Sequence, residues 1–261
     1  MNKHQEYIRK YKKDKYKILM FQVLFVVVFI ASWEIFSTIG LVDEFLVSKP
    51  SAVISLLYQY IISKEIFIHI GISLLETILG LIIGTSLGIL FAIFLWFSNT
   101  LTKIFDPFLV VLNALPKTAL APILIIYAGT GIKGIVVVAI SLSLIMTIIS
   151  AHNFFMSVDE DKVKMLKTFN ANKMQILFKL ILPSNVSNIL SIIKINIGMS
   201  WVGVIVGEFL VSRFGIGYLV VYGGQVFKLD LVMMGVLILA VLAYLMYLIV
   251  SIFEKRYQNK R

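Results

Sequence analysis

The sequence predicts an all-α, polytopic membrane protein with about six transmembrane helices. Of its 261 residues, 59% are hydrophobic and only 15% are charged, whereas a soluble domain charges about a quarter of its residues. The apolar residues gather in runs of about 20 or more, the length a helix needs to cross the hydrocarbon core with its backbone polar groups satisfied internally. Mean hydropathy is +0.95, and 24 Lys+Arg against 14 Asp+Glu leave a formal net charge of +10. In a chain this apolar, a basic excess points to a membrane surface and away from nucleic acid.

Six stretches qualify as spans: 18–40, 66–97, 104–128, 134–155, 185–211 and 229–253. The first follows a basic segment, as a signal peptide would, but it outruns the usual apolar region of such a peptide and no small-x-small pattern closes it. It is read as a retained helix carrying Glu34 near its far end. In the second, Gly80, Gly84 and Gly88 recur every four residues, a row that lets another helix approach closely. The third is interrupted by Pro116 and Pro122, whose missing N–H donors break the hydrogen-bond ladder. Lys117 lies between them, either as a positive charge beside an anion's path or as a lysine reaching an interface or a neighbour such as Glu76. The fifth holds Lys194 and Glu208, fourteen positions and almost four turns apart and so on one face, with Asn196, Ser200 and Trp201 between them. Both pore lining and interhelical hydrogen bonding suit these polar residues. Glu34 and Asp230, near span ends, are read as structural.

Six spans put both termini on one side, and the basic residues divide accordingly. Seven lie in 1–17, one at Lys103, five in 156–184 and four in 254–261, against five on the opposite side at Lys49, Lys64, Lys133, Arg213 and Lys228. The positive-inside rule then makes both termini cytoplasmic. The chain divides into a basic N-terminal segment (1–17) able to lie on anionic headgroups through Arg9-Lys10-Tyr11-Lys12-Lys13, a first helix with its extracytoplasmic connector (18–65), a core (66–253) containing the cytoplasmic loop 156–184, and a basic tail (254–261).

Several chemistries are excluded. Without cysteine there is no disulfide, thiolate metal site or cysteine nucleophile. His4, His69 and His152 make no ligand spacing, and no cofactor site is evident in the chain. Neither Gly-Lys nor the GxxxxGK[ST] phosphate loop occurs, so energy from ATP must come from another subunit. An ion-driven secondary transporter would be expected to carry paired repeats with acids in corresponding positions, and a membrane-embedded enzyme a polar cluster at one depth; neither pattern is present.

The loop 156–184 is patterned as helix, turn, helix. Ser157 and Glu160 read as a capping box with Asp159 between them, starting a helix over 158–169. Asn170 suits the left-handed residue that ends a helix. Asn172 and Gln175 start a second helix, 173–182, stopped by Pro183. Val163, Leu166 and Phe169 fall at i, i+3, i+6, as do Met174, Leu177 and Leu180, giving each helix an apolar face. Such a unit is either an interfacial hairpin or a docking element for a cytoplasmic partner.

This loop resembles the cytoplasmic "EAA" loop of binding-protein-dependent ABC importer permeases, V-D-x-x-x-x-E-A-A-x-x-L-G-A followed by a helix ending in L-P. Val158, Asp159, Ala171, Leu182 and Pro183 match; Lys164-Met165-Leu166 replaces Glu-Ala-Ala, and Asn170 replaces glycine. Phe45-Leu-Val-Ser-Lys-Pro-Ser-Ala-Val, Asp106-Pro-Phe, Ala114-Leu-Pro-Lys-Thr-Ala-Leu-Ala-Pro, Gly129-Thr-Gly and Trp201-Val-Gly-Val-Ile-Val-Gly-Glu-Phe-Leu, followed by Gly215-Ile-Gly-Tyr, are similar to the branch associated with nitrate, sulfonate, taurine and bicarbonate import. The resemblance implies the MetI-like permease fold in a prokaryotic plasma membrane. It further implies a small solute as cargo, such as a sulfonate, taurine, nitrate or a thiamine-precursor-like molecule. The implied partners are a cytoplasmic ATPase dimer that holds ATP and magnesium, an extracytoplasmic solute-binding protein and a second permease chain.

Overall fold

The computed structural model describes residues 3–40 and 48–258, and every regular element among them is a helix. In order these are α1 (Lys3–Thr38), α2 (Pro50–Ile62), α3 (Glu65–Trp96), α4 (Asn99–Ala114), α5 (Ala121–Ala128), α6 (Ile132–Met156), α7 (Glu160–Thr168), α8 (Lys173–Ile176), α9 (Val186–Val211), α10 (Ile216–Gln225) and α11 (Leu229–Gln258). Of the sequence features above, residues 45–47 of the first family-like motif and 259–261 of the basic tail lie outside the described residues, as do the side chains of Arg9 to Lys12.

Five helical segments are long and apolar enough to cross a membrane: Tyr16–Thr38 within α1, α3, α6, α9 and α11. These meet five of the six expected spans to within a few residues. The third expected span, 104–128, is instead two helices, α4 and α5, parted at 115–120. The proline ring of Pro116 disfavours helical backbone at the residue before it, and Leu115 is extended (φ −63°, ψ 138°). Pro122 stands in the first turn of α5, where a missing N–H costs nothing.

The described residues form two compact units, one of 3–40 and 48–63 with 223–234 and one of 64–222 with 235–258. Within the first, Trp33 Nε1 and Ser37 Oγ of α1 both donate to the Ser48 carbonyl. Glu34 accepts from the backbone N–H and hydroxyl of Ser51 at 3.0 and 2.8 Å, capping the N-terminus of α2.

The second unit is built around α3, α6 and α9, the helices with the most extensive mutual packing. Glycine sets their approach. A Cβ at Gly80 would stand 2.5 Å from the Cβ of Ala139, and one at Gly203 would stand 2.5 Å from the Cα of the same alanine, so both outer helices rest on one residue of α6. Gly84 faces Ser143, and Gly88 faces Thr147. The expected glycine row is thus the seam between α3 and α6.

Gly203→Ala, whose new methyl meets backbone, should therefore lower stability by about 1–3 kcal/mol. Gly198→Ala, with open space at that position, should leave it unchanged or raise it. Thermal melts of the two purified variants distinguish a packing seam from a tolerant helix.

Candidate functional site

The helix hairpin of 157–184 is built from the residues the sequence singled out, with two changes of role. Asp159, not Ser157, caps α7: its side chain accepts from the Asp161 N–H at 2.9 Å, while Ser157 Oγ turns back to the Phe154 carbonyl. Chain geometry decides this, because Ser157 still has helical backbone (φ −81°, ψ −2°) as the last cap of α6, whereas an N-cap needs an extended residue. Glu160 is the first residue of α7, beside Lys164 on an exposed surface.

The corner between α7 and α8 is closed twice. Asn170 has φ +55°, its N–H bonds the Lys167 carbonyl, and Ala171 N–H bonds that of Leu166, which is the double bond of a Schellman end. At once Asn172 and Gln175 form a reciprocal capping box, each side chain accepting from the other's backbone N–H at 2.8 Å. Lys173 Nζ then donates to the Phe97 carbonyl at 2.9 Å, placing a positive charge on the C-terminal end of α3.

Pro183 does not stop the second helix as expected. Residues Leu177–Ile181 wind as a π-helix and the chain continues helically over Leu182–Ser184. The wider winding lets Leu182 N–H reach Leu177 O ahead of the proline, and the Asn185 side-chain amide takes the Ile181 carbonyl at 2.9 Å.

Winding also decides which side chains face outward. Val163, Leu166, Ala171, Leu177 and Leu180 join Phe155, Ile181 and Ile192 in a cluster that fixes the hairpin to α3, α6 and α9. Phe169 is 76% and Phe178 62% exposed, and Met165 and Met174 are also open. Residues 163 and 166, read from periodicity as part of the outward face with Phe169, thus sit inside, while Met165 and Phe178 complete the open apolar surface. Phe178 lies four residues after Met174, a same-face helical spacing that rows drawn at i, i+3 alone pass over.

The intramembrane residues fall into separate places. Asn196, Ser200, Trp201 and Glu208 share the buried face of α9 against α3 and α6. Asn196 Nδ2 donates to Thr85 Oγ1 and Thr147 Oγ1 at 2.8 and 2.6 Å, one hydrogen-bonded layer across the three helices. Ser200 Oγ and Trp201 Nε1 are buried without a hydrogen-bond partner among the described residues. Glu208 accepts from Ser73 Oγ of α3 and the Gly217 N–H of α10. Lys194, on the same helix, pairs with Glu254 of α11 at 2.6 Å, and its ammonium lies 5.6 Å from the Tyr247 ring. Lys117 bonds the carbonyl and side-chain oxygens of Asn113 at 3.3 and 3.2 Å, not Glu76, in the link between α4 and α5. On the helices either side of it, Phe108 and Val111 of α4 and Ile126 and Tyr127 of α5 are exposed.

Residues 84–259 match the model of the family described as binding-protein-dependent transport system inner membrane component. The chain belongs to this family. The permease is 28% identical to the putative aliphatic sulfonates transport permease protein of Bacillus subtilis, covering 96% of its own length and 91% of the relative's. It is 24% identical to the taurine transport system permease protein of Escherichia coli, covering 88% and 85%. Among solved structures it shares its fold with a chain of a bacterial ABC transporter involved in alginate import, at TM-score 0.66 and 16% identity over 95% of this chain and 99% of that one. It is a multi-pass inner-membrane component of a prokaryotic ABC importer, and its relatives are transport permeases, not enzymes.

The Lys194–Glu254 pair is only 17% and 14% exposed, so removing one partner strands a buried charge. Lys194→Met should cost about 3 kcal/mol, and the double variant with Glu254→Met should cost less than either single change. A double-mutant cycle on denaturation in detergent reads the difference; additive losses would refute the coupling.

Proposed function

We propose that this permease forms one half of a two-fold pair that carries a small solute of the sulfonate, taurine, nitrate or thiamine-precursor kind. The reading of the cargo rests on the kinship with sulfonate and taurine permeases. We place both termini and the 157–184 hairpin on the cytoplasmic face, following the distribution of lysine and arginine along the chain.

The observation that carries the mechanism is the open apolar surface of the hairpin, made by Met165, Phe169, Met174 and Phe178 on a corner closed by two capping motifs. Exposed methionine and phenylalanine on a rigid turn suit insertion into a groove of a separate ATPase subunit, which holds the ATP and magnesium. The opposite face of the same hairpin is packed onto α3, α6 and α9. A displacement of the docked turn therefore moves the ends of three spans together. An extracytoplasmic solute-binding protein delivers the cargo, and the uncovered α4–α5 surface meets the second permease chain beside the path.

With Asn196, Ser200, Trp201 and Glu208 buried inside the three-helix packing, we assign them to holding α9 in place, and Lys117, on the exposed link, to the path. Lys117→Met should then impair anion uptake in proteoliposomes with the ATPase still bound, and normal uptake would return the lysine to a packing role.

Phe169→Asp and Phe178→Asp should each abolish co-purification of the ATPase while the permease melts as the parent does. Leu177→Asp, which charges the internal face, should instead destabilise the permease itself. Equal ATPase binding by the Phe169 variant and the parent would rule out this docking surface.

A further inference from the structure

The first three backbone N–H groups entering α10 are all taken by side chains of α3 and α9. Gly215 N–H reaches His69 Nδ1 at 3.0 Å, Ile216 N–H reaches Ser73 Oγ at 2.8 Å, and Gly217 N–H reaches Glu208 Oε2 at 2.6 Å. Ser73 Oγ in turn donates to Glu208 Oε1 at 2.5 Å. A Cβ at Gly215 or Gly217 would run into the Glu208 carboxyl, so this turn is shaped around it. Donors and the positive end of a helix suit an ionised carboxylate.

Glu76 lies one turn on from Ser73, with Glu208 as its charged neighbour. It is 1% exposed, and neither of its oxygens has a hydrogen-bond partner among the described residues. The other titratable groups at this turn are His69 of α3, which accepts from Gly215 and stacks on Tyr218 of α10, and Glu65 beyond the histidine. No lysine or arginine among the described residues pairs with either glutamate. With no donor within hydrogen-bond distance of Glu76 among the described residues, a second negative charge here would be buried unpaired.

We propose that Glu76 is a buried proton-binding site, holding its carboxyl neutral beside the ionised Glu208 that anchors α10. The proton resides on a Glu76 oxygen and serves as the missing donor toward Glu208; its loss would set two like charges together at the start of α10 and loosen the turn at 215–217.

Infrared difference spectroscopy on the full-length permease in nanodiscs, in water and in deuterium oxide, tests the assignment at neutral pH. The carbonyl stretch of a protonated, buried carboxyl should be present in the parent, absent in Glu76→Gln and retained in Glu208→Gln, or in Glu208→Asp should the amide variant not fold. Glu76→Gln, a neutral isostere, should melt as the parent does. A band lost on substituting Glu208 and kept on substituting Glu76 would put the proton on the wrong residue, and no band in the parent, or a Glu76→Gln chain that does not fold, would overturn the site altogether.

Discussion

Gly80, Ala139 and Gly203 bring three helices to near backbone contact, and most of the chain's polar arrangement follows from that approach. Inside a bilayer, apolar side chains gain little by leaving lipid for one another, so packing and hydrogen bonding must hold helices together. Close seams make both available. With the helices this near, Asn196 can reach a threonine on each neighbour, and Glu208 can span from α9 to α3 and the start of α10. The same approach buries these polar residues of the fifth span within the three-helix packing.

Much of this was legible in the sequence where the signal was local. The glycine row fixed the α3 seam because spacing alone puts Gly80, Gly84 and Gly88 on one side. Asn170 and Asn172 were legible as a left-handed stop and a new cap because each acts on neighbours within a few residues. The reading failed where chain context outweighed type. Ser157 has the right side chain for a cap but stands in the last turn of the preceding helix, leaving the role to Asp159. Pro183 should end a helix, yet it stands in the first turn of a new helical segment behind a π turn, and the chain winds on. Pairings such as Lys194 with Glu254, 60 residues apart, have no periodic signature.

The hairpin shows how the family's loop is rebuilt with different residues. Asn170 replaces glycine at a positive φ, which asparagine tolerates because its short amide strains the backbone little there. Lys164, Met165 and Leu166 replace Glu-Ala-Ala and split their work: the leucine packs inward, the methionine is open, and the lysine neighbours Glu160 and Asp161.

The π turn of Leu177–Ile181 carries one residue more than an α-helical path would need between the hairpin corner and Pro183. The wider winding absorbs that surplus within one turn. Deleting one residue there would restore regular α winding and leave Phe169 and Met174 on nearly the same side of the hairpin. The same deletion in the regular turns at the start of α9 would instead rotate everything on its N-terminal side by about 100° about the helix axis. The π turn is therefore the one stretch between the hairpin corner and α9 where the chain can lose a residue and keep its outward face.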